Sequence, residues 1–137
     1  MLEFVWKNVR RYPFSVLCVV TVWVLSLLPF FPETPLDDVE FIDKWVHFIM
    51  YGGTTIVIWW EYYLHHRQQL HVSRRLLLWG VLAPILMGGL LELLQAYATT
   101  TRNGDWLDFA ANTLGVVIGV VCSLLCWSLL QRAHKQH

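Results

Sequence analysis

Long apolar runs alternate with short polar segments along the chain, and this pattern predicts membrane-spanning helices. The apolar runs cover about 14–31, 45–64, 76–98 and 106–130. At about 1.5 Å of rise per residue, each run is long enough to cross roughly 30 Å of hydrocarbon. The sequence therefore predicts an all-α fold, a four-helix transmembrane bundle that forms a single domain over residues 1–137.

Prolines mark two places where these helices should be interrupted. Pro29, Pro32 and Pro35 should end the first run, because proline lacks the backbone N–H that a continuing helix needs. Pro84 lies inside the third run and should kink that helix, a distortion that neighbouring spans tolerate.

Composition supports a membrane protein and excludes one class of partner. The 137 residues are 56% hydrophobic and 15% charged, a balance that leaves too little polar surface for a small soluble domain. The formal net charge is zero, which excludes a nucleic-acid partner on electrostatic grounds. The three cysteines, all in apolar runs, are interpreted as packing residues.

Basic residues predict the orientation of the bundle. Eight of the ten lie before the first run, between the second and third, or after the fourth: Lys7, Arg10, Arg11, Arg67, Arg74, Arg75, Arg132 and Lys135. Because cytoplasmic segments are enriched in Lys and Arg, both termini and the middle loop should be cytoplasmic. The first run follows basic residues as a signal peptide would, but it has no small-residue cleavage site and is predicted to be retained.

Glycines predict where helices approach closely. Gly52-Gly53, Gly88-Gly89 and Gly115-x-x-x-Gly119 give three of the runs smooth patches. Packing within one chain and packing between two chains both explain these patches, so the oligomeric state stays open.

Polar side chains recur at the outer ends of three runs. Helical rise puts Glu92 about 24 Å from the cytoplasmic boundary and Asn112 about 9 Å below the outer one. An ionisable group at membrane depth costs about 2.5–3.5 kcal/mol and usually faces the bundle interior. Spacings of three, four and seven residues give each helix one polar stripe. The resulting predicted ligand-binding set is Asp43, Lys44, His47, Tyr51, Glu92, Gln95, Arg102, Asp108 and Asn112.

Each group of polar residues also has a purely structural interpretation. Asp105 is a good N-cap for the fourth helix. Asp43 and Lys44 could form a surface ion pair, and Glu92 could pair with Arg102 or Lys44. Asn112 could bond between helices.

Three functions fit this pattern, and the residues alone leave all three open. In the first, an anionic lipid or lipid-linked cell-wall precursor is bound through its phosphate, which is held by Lys44, His47, Arg102 and the amide groups of Gln95 and Asn112. In the second, a membrane-embedded hydrolase or transferase uses His47, Glu92 and Asp108 as acid–base groups or as ligands of a divalent metal. In the third, the polar layer only holds the helices together.

Three motifs in these segments resemble those of the VanZ-like family of small bacterial membrane proteins. They are Asp43-Lys44-x-x-His47-Phe48-x-x-Tyr51, Glu92-x-x-Gln95, and a third that runs from Arg102 through Asp105, Asp108 and Asn112 to Gly119. The resemblance covers about 43–121, and it departs at Asp105, where many members carry serine.

The resemblance implies a multi-pass protein of the bacterial cytoplasmic membrane that works in the cell envelope. The family's naming member is linked to resistance to the glycopeptide teicoplanin. Resistance need not be the role of this chain, and the resemblance implies no particular substrate, cofactor or metal.

Overall fold

The computed structural model describes residues 3, 9–28, 41–66, 72–98 and 104–134, and every regular element within these ranges is helical. The helices are α1 (Pro13–Leu27), α2 (Ile42–His65), α3 (Arg74–Leu77), α4 (Ala83–Ala98) and α5 (Trp106–His134), with a π-helical segment (Leu78–Leu82) between α3 and α4. The predicted all-α fold is confirmed for these residues.

The prediction of four membrane spans is confirmed in part. Two helical segments, Arg74–Tyr97 and Trp106–Ala133, are long and apolar enough to cross a membrane. The apolar helix Pro13–Leu27 is shorter, and residues 29–31 of the first predicted span lie outside the described ranges. Helix α2 has 24 residues but is less apolar, because it carries charged residues and a Gly-Gly-Thr-Thr run.

Glycines bring α2 and α5 into backbone contact along one seam. A Cβ added at Gly115 would lie 2.4 Å from the carbonyl oxygen of Phe48, and one at Gly119 would lie 2.7 Å from that of Gly52. No larger side chain fits at such distances, so these glycines allow the close approach. The Gly115-x-x-x-Gly119 pattern is therefore used within the chain.

Pro84 disturbs its helix without breaking the packing. Because proline has no N–H, the carbonyl of Gly80, four residues earlier, cannot make the usual α-helical hydrogen bond to residue 84. The π-helical segment lies directly before this turn, and the indole N–H of the buried Trp59 donates to the Gly80 carbonyl at 3.0 Å. A side chain of α2 thus satisfies the carbonyl that Pro84 leaves free, as expected where a neighbouring helix tolerates a proline.

The helices alternate in direction, and this sets which residues share an end of the bundle. The beginning of α1 meets the end of α2, where Glu61 accepts hydrogen bonds from Phe14 N–H at 3.1 Å and Ser15 N–H at 2.7 Å. At the opposite end, Gln95 near the end of α4 donates to the carbonyl of Ser26 near the end of α1 at 2.8 Å. The beginnings of α2 and α5 and the end of α4 also meet there.

Candidate functional site

Three helices bring polar side chains together at one end of the bundle. The beginning of α2, the end of α4 and the beginning of α5 supply a set that we call the polar cluster: Asp43, Lys44, His47, Glu92, Asp105, Asp108 and Asn112. Four of its members are at most 8% exposed: His47, Glu92, Asp108 and Asn112. These predicted site residues therefore lie in one buried layer.

A chain of hydrogen bonds links His47, Asn112 and Glu92. The Nδ1 atom of His47 lies 3.0 Å from the Asn112 Oδ1 atom. The Asn112 Nδ2 atom donates to Glu92 Oε1 over 3.4 Å, a long hydrogen bond. His47 Nδ1 and Glu92 Oε1 are 4.0 Å apart, so Asn112 is the group that connects them.

The second ring nitrogen of His47, Nε2, is turned to Asp108. The His47 Nε2 atom lies 3.7 Å from Asp108 Oδ2, which is too long for a hydrogen bond. One potential ligand atom from each of His47, Glu92 and Asp108 lies within 4.8 Å of the other two. An imidazole and two carboxylates at this spacing can act as acid–base groups or hold a divalent metal.

Lys44 is surrounded by carboxylates rather than offered to a ligand. Its Nζ atom donates to Asp43 and, at 2.7 Å, to Asp105, and it lies 3.0 Å from Asp108 Oδ1. Hydrogen bonding from Lys44 lowers the pKa of Asp105, which lies just before the first residue of α5. Asp105 also caps α5, because its Oδ1 atom accepts from the Leu107 N–H at 2.9 Å.

The segment before α5 closes over the end of α4. A Cβ added at Gly104 would lie 2.3 Å from the Glu92 carbonyl oxygen, so glycine is needed for this close approach. The adjacent Asp105 N–H donates to Glu92 Oε2 at 3.1 Å. One oxygen of Glu92 therefore serves the backbone of the connection, and the other faces Asn112 and His47.

The remaining predicted site residues have different positions. Tyr51 is fully buried one turn below His47, and its hydroxyl has no hydrogen-bond partner among the described residues. The Gln95 amide nitrogen donates to the Ser26 carbonyl of α1. Arg102 lies outside the described residues, and so does the predicted Glu92–Arg102 pair.

An apolar groove of about 430 Å³ lies beside the cluster, between α4 and α5. Its walls include Leu86, Leu90, Leu93 and Phe109, and its lining also includes Glu92 and Asp105. The groove was not predicted from the sequence, because it depends on how two helices that both look uniformly apolar are placed side by side.

Glu61 is a buried carboxylate that the sequence interpretation missed. It is 4% exposed and accepts from two backbone N–H groups and the Ser15 hydroxyl at the beginning of α1. The available signal was a lone acid among four aromatic residues, Trp59, Trp60, Tyr62 and Tyr63. Its contacts are those of a helix cap, so Glu61 has a structural role.

Comparison with known proteins identifies no family for this chain. The chain matches no family model, no curated protein and no solved structure.

Proposed function

We propose that this chain is a VanZ-like multi-pass protein of the bacterial cytoplasmic membrane, and that its polar cluster binds the headgroup of an anionic envelope lipid. The headgroup would come from a phospholipid or from a lipid-linked cell-wall precursor. In this proposal four spans cross the membrane, both termini are cytoplasmic, and the cluster lies in the outer leaflet.

The outer surface of the helices supports a lipid environment. Large apolar side chains are exposed along the helices, including Phe14 (65%), Leu86 (62%) and Leu125 (59%). Exposed apolar surface of this extent is typical of a protein that contacts lipid. Trp106 and Tyr97, which lie beside the polar cluster, are also exposed, as aromatic residues at a membrane interface are.

The observation that carries the proposal is the position of the apolar groove beside a buried polar cluster. A lipid has an apolar chain and a polar headgroup, and the two parts require adjacent surfaces of opposite character. The groove at Leu90 and Leu93 would hold part of the chain, and Glu92 and Asp105, which belong to the cluster, also line the groove. A purely structural polar layer does not require a groove next to it.

A second function, catalysis on such a lipid, is favoured by the placement of His47. This side chain lies between the Asn112 amide and the Asp108 carboxylate, within reach of Glu92. An imidazole that is oriented on one nitrogen and faces a carboxylate on the other has the arrangement of a general acid or base. A hydrolase or transferase would use His47, Glu92 and Asp108 in this way.

Lipid binding is tested by native mass spectrometry of protein purified from membranes in mild detergent. Leu93→Trp should narrow the groove and reduce the amount of bound anionic lipid severalfold. Leu114→Trp is the matched control, because Leu114 is similarly exposed on α5 (55% against 52%) but is not in the groove lining. Equal lipid binding by the two variants would reject the groove as the lipid site.

Catalysis is tested on the same preparations. Purified protein incubated with a lipid-linked phosphate should release product if the second function is correct, and His47→Gln should abolish the release. Retained lipid binding without turnover would leave the binding function and exclude catalysis on that substrate.

The proposed topology is tested by labelling cysteines introduced at Asp38 and Arg74 in intact cells and in inverted vesicles, with the native cysteines replaced by serine. The two positions should react from opposite sides of the membrane. Labelling of both from one side would overturn the four-span arrangement.

A further inference from the structure

We propose that the polar cluster holds one divalent cation, bound by His47 Nε2 and by the carboxylates of Asp108 and Glu92. The inference rests on the proposed function, because it concerns the same site and states how that site would attract an anionic headgroup. The cation would be Zn²⁺ or Mn²⁺, since one imidazole nitrogen with two carboxylates suits both ions.

The direction of the hydrogen bonds determines which nitrogen of His47 is available. The Asn112 Nδ2 atom donates to Glu92, so the Oδ1 atom of the same amide must accept from His47 Nδ1. In the neutral imidazole, the Nε2 atom then carries a lone pair. This lone pair lies 3.7 Å from the Asp108 Oδ2 atom, which is also an acceptor.

Two acceptor atoms that face each other in a buried site repel each other, and a proton or a cation between them removes the repulsion. A proton on Nε2 would draw the pair to hydrogen-bond distance, below about 3.2 Å. Two ligands of one tetrahedral ion, each with a bond of about 2.1 Å, are separated by roughly 3.4 Å. The 3.7 Å separation exceeds both values and leaves room for an ion between the two atoms. Glu92 belongs to the same group, in which one potential ligand atom of each residue lies within 4.8 Å of the other two. Its Oε1 atom lies 4.0 Å from His47 Nδ1, so the carboxylate would turn toward Nε2 to join the ion.

The surroundings of the three ligands resemble those of a metal site. Metal-binding histidines commonly donate their second ring N–H to an oxygen that fixes the ring, and the Asn112 Oδ1 atom does this for His47. Lys44 lies 3.0 Å from the second oxygen of Asp108 and would orient that carboxylate.

A buried polar side chain beside the cluster has an unused hydrogen-bonding group. The Tyr51 hydroxyl is fully buried and has no hydrogen-bond partner among the described residues. The Tyr51 ring and the Asn112 amide both pack against Gly88 of α4, each 3.3 Å from a Cβ placed there. The Tyr51 ring therefore neighbours the Asn112 side chain, which holds the imidazole of His47.

The cation would also resolve the charge balance of the proposed headgroup site. The described members of the cluster include four carboxylates and one ammonium group, that of Lys44, which contacts three of them. This excess of negative charge repels a phosphate. A divalent ion offsets two of the charges and presents an open coordination position to the phosphate oxygen, as metal sites that bind phosphate do.

Metal binding by the purified, lipid-free protein tests the inference. After treatment with EDTA, the protein is dialysed against Mn²⁺ or Zn²⁺, its metal content is measured, and its thermal melt is recorded. We expect one ion per chain and a higher melting temperature with the ion. A folded wild-type protein that retains no ion and melts identically with and without it would overturn the proposal.

Isosteric variants identify the ligands. Asp108→Asn and Glu92→Gln should each weaken Mn²⁺ binding by at least about tenfold. The matched control is Glu61→Gln, which makes the same change at a buried carboxylate at the opposite end of the bundle. Where it is folded, it should bind Mn²⁺ like the wild type. Melts without metal verify that each variant is folded, and equal affinity of Glu92→Gln and Glu61→Gln would contradict the assignment.

Lipid co-purification and metal content together distinguish failure of the cation proposal from failure of the headgroup proposal. If anionic lipid still co-purifies after EDTA treatment and depends on His47, the headgroup site stands and the cation is rejected. If the ion binds as expected but no lipid co-purifies, the cation stands and the headgroup function fails.

Discussion

Two buried glutamates at opposite ends of the bundle, Glu61 and Glu92, have the same side chain but different surroundings. Glu61 is 4% exposed and Glu92 is 8% exposed. Both oxygens of Glu61 accept hydrogen bonds from the beginning of α1. Oε1 accepts from the Phe14 N–H at 3.1 Å, and Oε2 accepts from the Ser15 N–H at 2.7 Å and from the Ser15 hydroxyl. Glu92 accepts one backbone N–H at 3.1 Å, and its other oxygen has a 3.4 Å contact with Asn112.

This difference distinguishes a carboxylate with a structural role from one that is available to a ligand. The hydrogen bonds and the positive end of the helix dipole at α1 stabilise the charge on Glu61, and they leave no oxygen free for a ligand. Glu92 has an oxygen that is only weakly bonded and that faces an imidazole and a second carboxylate. The degree of hydrogen-bond satisfaction, rather than burial, therefore indicates which glutamate can serve a ligand.

The largest expected loss of stability comes from a substitution in the glycine seam between α2 and α5. Gly115→Ala would put a Cβ 2.4 Å from the Phe48 carbonyl and force α2 and α5 apart. We expect a loss of about 3 kcal/mol in the free energy of unfolding, at the upper end of overpacking costs. Unfolding in a detergent titration measures the loss.

Gly53→Ala is the control for the seam, because a Cβ at Gly53 meets nothing within 4 Å. It should be neutral or slightly stabilising, by up to about 1 kcal/mol, since alanine favours helix more than glycine does. Equal destabilisation by the two variants would show that the glycine contacts do not determine the packing.

Glu61→Gln should have the next largest effect. The amide keeps one acceptor oxygen, but its NH₂ group would face donors at the beginning of α1. We expect a loss of about 2 kcal/mol, because hydrogen bonds to a charged group are lost and a buried donor is left unpaired. Metal and lipid binding should be unchanged where the protein is folded.

Glu92→Gln, the same chemical change at the polar cluster, should cost less than about 1 kcal/mol of stability. The new side chain can accept from the Asp105 N–H and donate to Asn112, if the Asn112 amide rotates and donates to His47 in turn. Binding of ions and headgroups should nevertheless be lost. If Glu92→Gln destabilises the protein as much as Glu61→Gln, the two glutamates are both structural and the comparison fails.

Much of the fold was predictable because it depends on local pattern. The apolar runs predicted helices at the positions of α1, α2, α4 and α5. Pro84 predicted a kink in the third run, and the structure has a π-helical segment shortly before this residue. The predicted convergence of His47, Glu92, Asp108 and Asn112 followed from the alternating direction of successive helices.

What the sequence could not predict depends on contacts between distant segments. The capping of α1 by Glu61 links residues 46 positions apart, and nothing in either segment specifies the pairing. Lys44 was predicted to hold a phosphate, but three carboxylates from two helices surround it. Gln95 follows the same helical stripe as Glu92, yet its amide nitrogen donates to a carbonyl of the neighbouring α1.

The smallest expected effect concerns the edge of the polar cluster, where Asp105 meets Lys44. Hydrogen bonding from Lys44 holds the pKa of Asp105 below its ordinary value of 3.8. Because the pKa of Asp105 is lower in the folded protein, the pair stabilises the fold at pH values above the ordinary pKa. The contribution is lost as the pH falls toward the lowered pKa.

Asp105→Asn keeps an oxygen that can cap α5, so it removes the charge and not the cap. The melting temperature of the variant should therefore fall less than that of the wild type between about pH 5 and pH 3. The effect should be modest, because the Asp105 side chain is 40% exposed and water screens the pair. Lys44→Met should also reduce the fall in melting temperature between these two pH values. If the melting temperature of both variants falls as much as that of the wild type, the Lys44–Asp105 pair does not contribute to stability.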